Sequence, residues 1–263
     1  MILSAPKVDF NVKIIGDVKN STPLIFLHGF MGSMESWNEI VPHFNTPIIL
    51  INLAGHGKSH FNNVDNYLFS DWNNDFKSIL GQLEITQINL CGYSMGGRLA
   101  LSFACEFPQI VNRLILESST PGIREKDARN IRVEEDQLNC SKIINDYSSF
   151  VKTWSNNQLF ENQKNRNLSG WEAQQEIRLG QNVEQLSLSL QFLGTGQMPS
   201  LWDKINKLHL SVMLITGSED SKYCRIATEC LQKIPDCKWV NISNCGHNTH
   251  LEQSTQLVES IKS

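Results

Sequence analysis

"CGYSMGGRLA", residues 91–100, sets one serine between two glycines where an apolar run gives way to a helical pattern. The run leading in, "INLCGYS" (88–94), is apolar and β-prone, while "MGGRLALSFACEF" (95–107) carries Leu99, Phe103 and Phe107 at helical spacing. A strand that turns into a helix around Gly92-x-Ser94-x-Gly96 is the setting of a nucleophile elbow, in which a serine hydroxyl projects from a strained turn. A side chain two positions to either side would collide with the neighbouring strand or helix, and glycine removes that collision. Five residues of this kind recur by chance, so the strand before and the helix after decide the matter.

Outward from the elbow, short apolar β-rich runs alternate with helical stretches: Val8–Ile15, Leu24–His28, Ile48–Leu53, Ile88–Tyr93, Val111–Glu117, Val212–Thr216 and Lys238–Ile242. That alternation predicts an α/β fold, a mainly parallel sheet flanked by helices, with the first run entering antiparallel. Between Thr120 and Lys207 the β-branched runs disappear, replaced by Asn, Gln, charged residues and three tryptophans, Trp154, Trp171 and Trp202. A structureless loop of that length does not belong inside a compact domain. Residues 120–207 are therefore expected to form a helical cap over the carboxyl edge of a sheet built from 1–119 and 208–263.

The 263 residues are 40% apolar and 19% charged, the balance of a folded domain. A net charge of −4 and a pI near 6.0 carry no nucleic-acid footprint and no basic membrane-surface helix. Met1 to Phe10 lack a basic segment followed by an apolar one, and no run of about 18 apolar residues occurs, so the expectation is a cytoplasmic protein without a membrane partner. Seven cysteines without a C-x-x-C pair fit neither a disulfide framework nor a zinc site, and neither metal nor cofactor is expected. The sequence assigns no oligomeric partner.

A reactive serine needs a base, a group that orients the base, and donors for a developing oxyanion. "LIFLHGFMGS" (24–33) ends a strand in His28-Gly29-Phe30, a loop able to aim the Phe30 amide at the space that the Met95 amide faces. The His28 ring itself reads as structural, and His56 as part of a turn. His43, His60 and His209 lie in polar stretches without supporting motifs. His247 differs: "NISNCGHNTHLEQ" (241–253) places it after the last strand and a glycine, on the edge where Ser94 emerges, with His250 its rival. "VMLITGSEDSKY" (212–223) supplies Asp220 as the orienting acid, Glu219 beside it and Glu117 as the main competitor. The chain order Ser94, Asp220, His247 is that of the triad on such a sheet.

Together, the HGF loop, G-x-S-x-G-G, G-x-x-D and G-H resemble the α/β-hydrolase superfamily across nearly the whole chain. The same triad serves esterases, thioesterases, peptidases and some lyases, so the reaction is left open. Arg98 narrows it. Positions 94 and 98 share a helix face, which puts a guanidinium beside the serine, where an unpartnered charge would cost of order 3 to 5 kcal/mol. A protein carboxylate or an anionic ligand is expected there.

"ESSTPGIREKDARNIRVEED" (117–136), "GTGQMPSLWDKI" (194–205), "GYSMGGRLAL" (92–101) and "GHNTHLE" (246–252) closely resemble the 2-succinyl-6-hydroxy-2,4-cyclohexadiene-1-carboxylate synthases, lyases of menaquinone and phylloquinone biosynthesis. The resemblance implies elimination of pyruvate from a small anionic polycarboxylate, with Ser94 as base. It also implies that Tyr93 and Arg98 flank the serine, and that Arg129, Arg132, Trp154 and Arg178 of the cap contact carboxylates or the ring. Arg129 and Arg132 also fit a solvated helix face. Where such relatives commonly have Asp and Pro, "NLAGHGKS" (52–59) has Asn52 and Ala54, expected to affect only turn stability. A carboxylesterase or thioesterase working through an acyl-serine, and a non-catalytic binding protein of the same fold, are the other readings.

Overall fold

Strands buried on both faces mark the centre of this sheet. The computed structural model describes residues 1–19 and 21–263. The first half runs β1 (Ile2–Ser4), β2 (Val8–Ile15), β3 (Leu24–Leu27), β4 (Ile48–Ile51), β5 (His60–Phe61), α1 (Phe69–Gln82), β6 (Ile88–Tyr93), α2 (Met95–Glu106) and β7 (Val111–Glu117). Five helices follow, α3 (Lys126–Asn145), α4 (Tyr147–Ser155), α5 (Gln163–Arg166), α6 (Leu168–Leu179) and α7 (Val183–Leu193). The chain closes with β8 (Ser211–Gly217), α8 (Ser221–Lys233), β9 (Cys237–Ile242), α9 (Thr249–Glu252) and α10 (Ser254–Lys262).

All four residues of β3 and all four of β4 are buried, whereas β2 alternates buried with half-buried positions only from Val8 to Val12 and then opens toward solvent. The sheet order is β1-β2-β4-β3-β6-β7-β8-β9, with β5 paired to β2. Pairings from β4 to β9 are parallel, and β2 joins β4, β1 and β5 antiparallel. From β3 the chain moves outward to β4, then returns to build β6, β7, β8 and β9 on the other side. The loop after β3 and the turn after β6 therefore part company at adjacent strand ends, a topological switch point where α/β sheets hold their ligands.

Each face of the sheet is covered. Phe76, Leu99 and Phe103 of α1 and α2 pack on one side; Trp37, Ile40, Leu257 and Ile261 pack on the other. A third cluster ties the helices between β7 and β8 together through Cys140, Ile143, Phe150, Leu186 and Leu190, and it includes Met31 from the loop after β3.

The strands match the sequence reading with shifts at the ends: β3 stops at Leu27, β4 at Ile51, and β8 extends from Ser211 to Gly217. The short β1 and β5 carry too few residues for an alternation to show. All seven cysteines are free. Among the described residues no helix is long and apolar enough to cross a membrane, and no cluster of His, Cys, Asp and Glu is arranged to hold a metal ion.

Candidate active site

Ser94 has φ 50° and ψ −104°, a conformation that costs an L-residue of order 1–3 kcal/mol and persists only when its surroundings over-determine it. They do so here. The Ser94 amide donates to the Glu117 carbonyl at 2.8 Å, and its carbonyl accepts from the Arg98 amide at 3.0 Å and the Ser119 hydroxyl at 3.1 Å. A Cβ on Gly96 would lie 2.3 Å from the Leu27 carbonyl oxygen, and one on Gly92 2.5 Å from that of Gly96. Only glycine lets α2 approach β3 and β6 this closely.

His247 and Asp220 come from the loops after β9 and β8. The His247 Nδ1–H donates to Asp220 Oδ2 at 2.6 Å, and Nε2 accepts from Ser94 Oγ at 3.2 Å. This tautomer leaves the nitrogen facing the serine free to take its proton. Asp220 is held from its other oxygen, because as N-cap of α8 its Oδ1 accepts the Tyr223 amide at 3.3 Å. Glu219 faces away and pairs with Arg166 of α5 at 2.5 Å. Glu117 does not reach His247; it pairs with His250.

Ser94, His247, Phe30 and Met95 line one cavity of about 250 Å³. Among the described residues the Phe30 and Met95 amides have no acceptor, as two oxyanion donors require. Two buried imidazoles shape the Phe30 loop. His28 donates from Nδ1 to the Gly29 carbonyl at 2.7 Å and accepts the Leu53 amide at Nε2 at 3.0 Å. His56 accepts the amide of Met31, whose φ is 60°, at 3.1 Å. Burial pushes His56 down to about 4 and His28 well below its ordinary value, so both stay neutral acceptors. Asn52 is more than a turn residue: buried, it accepts the Met34 amide at 2.7 Å and so fixes the far end of the same loop.

Arg98, Arg132 and Lys222 line the cavity against a single carboxylate, Glu135. Arg98 lies there, 7% exposed, donating from Nη1 to the Leu193 carbonyl at 2.9 Å. Among the described residues no carboxylate pairs directly with it; its protein partner is that main-chain oxygen, with Asp136 as a more distant counter-charge. Burial pushes Arg98 down to about 10, which leaves it charged at neutral pH. Arg132 also lines the cavity, its Nε on Asp136 at 2.8 Å, and so does Lys222, on the first turn of α8. Lys222 escaped the sequence reading although it follows Asp220 by two residues, close enough to share its site.

The other residues named from sequence are distributed differently. Trp154 lines the cavity, its ring 5.3 Å from that of Phe30. Arg129, one turn before Arg132, lies outside the lining. Arg178 is buried behind it, donating to the Ser155 hydroxyl at 2.8 Å with its guanidinium 5.0 Å from the Phe160 ring. Tyr93 also sits behind, its ring 5.4 Å from that of His247.

Residues 22–254 match the alpha/beta hydrolase fold family. A Bacillus subtilis (strain 168) protein named "Putative 2-succinyl-6-hydroxy-2,4-cyclohexadiene-1-carboxylate synthase" is 35% identical over 238 residues, 89% of this chain and 86% of that one. The 2-succinyl-6-hydroxy-2,4-cyclohexadiene-1-carboxylate synthase of Citrobacter koseri is 29% identical over 94% of each chain. The solved structure of MenH from S. aureus superimposes with a TM-score of 0.91 at 30% identity, covering 95% of this chain and 96% of that one. The chain belongs to the alpha/beta hydrolase fold family and, within it, to the group of the 2-succinyl-6-hydroxy-2,4-cyclohexadiene-1-carboxylate synthases.

Proposed function

We infer that the protein is a carbon–oxygen lyase that eliminates pyruvate from 2-succinyl-5-enolpyruvyl-6-hydroxy-3-cyclohexene-1-carboxylate, giving 2-succinyl-6-hydroxy-2,4-cyclohexadiene-1-carboxylate. One observation carries this beyond fold likeness: a buried, charged Arg98 shares the serine's cavity, with Arg132 and Lys222 on the same wall. A neutral ester has no use for that wall, whereas a substrate with three carboxylates does.

The chemistry follows from the substrate's connectivity. Its C2 hydrogen is acidified by the succinyl ketone. Ser94, giving its own proton to His247, takes that hydrogen, and Asp220 stabilises the imidazolium that forms. The C2–H electron pair becomes the C2–C3 double bond, the C3–C4 double bond moves to C4–C5, and the C5–O bond breaks. Enolpyruvate leaves and takes a proton on carbon to become pyruvate, which balances the proton that His247 gives up as the triad resets. Negative charge grows on the ketone oxygen meanwhile, where the Phe30 and Met95 amides serve as donors. No acyl-serine forms, no water is consumed and no electrons change hands, so the step calls for no redox cofactor. Residues 120–207 act as the cap over a core of 1–119 and 208–263, supplying Arg132 and Trp154. Seven free thiols suit a reducing, cytoplasmic setting.

Pyruvate release by the purified protein, followed with a coupled dehydrogenase, is the test. Ser94→Ala should lower the rate by about 10³-fold or more. A protein that yields no pyruvate yet hydrolyses simple esters through a trappable acyl-Ser94 would overturn the assignment in favour of an esterase.

A further inference from the structure

Glu117 and His250, the acid and the base that Asp220 and His247 displaced, are joined to each other. Glu117 ends β7 with no exposed surface. Its Oε1 accepts the Thr249 hydroxyl at 2.7 Å and the His250 amide at 3.0 Å, and the His250 Nδ1 lies 2.9 Å from both carboxylate oxygens. Burial alone would push this carboxyl up, but the facing His250 and these hydrogen bonds outweigh it and hold Glu117 below its ordinary value.

We propose that Glu117 and His250 are a positioning pair that sets the reach of His247 toward Ser94. Glu117 touches Ser94 and the segment that follows His247 without entering the proton relay. Its main-chain carbonyl takes the Ser94 amide at 2.8 Å, and its carboxylate anchors the two residues that begin two positions beyond His247. The elbow and the base loop thus hang from one residue. The His250 ring is packed against Trp37, with centroids 4.4 Å apart, and against Tyr93 at 4.7 Å; the Tyr93 ring in turn lies 5.4 Å from that of His247. A shift of His250 would therefore move the surface that backs His247. Apolar packing of equal volume often stabilises as well as a buried ion pair does, so what the pair adds here is a defined geometry. Geometry is what proton transfer needs: a displacement near 1 Å can cost about 10²-fold in rate.

The inference rests on Ser94 and His247 serving the reaction, so its test uses two readouts. Glu117→Gln keeps an acceptor for Thr249 and for the His250 amide while removing the charge. Expected are a kcat for pyruvate release lower by about 30-fold or more, a KM within about threefold of the parent, and a parallel slowing of Ser94 modification by a fluorophosphonate. Should Glu117→Gln fail to fold, His250→Gln, which leaves the Thr249 hydroxyl and the main-chain donor in place, carries the same expectations. A folded variant with kcat and fluorophosphonate rate both within about threefold of the parent overturns the proposal, as does a raised KM at unchanged kcat. A parent enzyme that reacts with the fluorophosphonate but releases no pyruvate defeats the lyase assignment alone, and the fluorophosphonate rates still decide on the pair.

Discussion

A guanidinium one helical turn from the serine hydroxyl is solvated by very little. Arg98 has one carbonyl on Nη1 and remains charged, so an incoming carboxylate meets a donor already stripped of water. Arg98→Ala should weaken kcat/KM for the polycarboxylate by about 2 kcal/mol or more, some 30-fold, and spare turnover of a neutral ester. Equal losses on both would make the arginine purely structural. His56 gives a second prediction at this scale. Its folded value near 4 lies below the ordinary 6.5, so between those pH values the unfolded chain binds the extra proton. Its contribution is present above pH 6.5 and lost as pH falls toward 4, to the extent of about 3 kcal/mol. His28 adds a loss of the same sign. Urea titrations across that range should show stability falling with acidity, and the slope should shrink in His56→Asn.

Among the helices, α2 could be read directly because Leu99 and Phe103 declare its buried face, whereas α3 could not. Its buried residues are Asp136, Cys140 and Ile143, while Ile131, Leu138 and Ile144 are exposed. With apolar residues on the solvent side, no stripe tells Arg132 from Arg129, and only the packed helix shows which faces the cavity. Lys222 and Tyr223 were legible in principle, being on the first turn of the helix that Asp220 caps. The Glu117–His250 pair was not, since it joins residues 133 positions apart through the register of β7 against the loop after β9. The four-residue α5 is too short to be stable by itself. Arg166 holds it, reaching Glu219 and the nearly buried Glu252 at 2.5 Å each, and Glu252 also accepts the Gly246 amide at 2.8 Å. Arg166→Ala should cost about 2 kcal/mol by urea unfolding, because it strands Glu252 among buried neighbours. A loss below about 0.5 kcal/mol would place the pair with ordinary surface ion pairs.

At the scale of the molecule, the strand–helix alternation and the serine–acid–base order were readable because both are written along the chain. The switch point between β3 and β6 was not, because strand order depends on which edge each new strand joins. Charge shows the same division. The net charge is −4, yet the cavity wall holds Arg98, Arg132 and Lys222. Within about 10 Å at 0.1 M salt, the local cations outweigh the distant negative surface. KM for the trianionic substrate should therefore rise several-fold between 0.05 and 0.5 M salt; a KM that falls would show the net charge to be in command. The sheet's last strand, β9, carries a consequence for handling the protein in concentrated solution. A terminal strand offers a row of unpaired main-chain groups, a template for another chain. In β9 that rim is six residues long and bears exposed Lys238 and Asn241. Edge-to-edge zippering of two copies there would have to desolvate two lysines for a handful of main-chain bonds, which sets Lys238 against fibre growth from this edge.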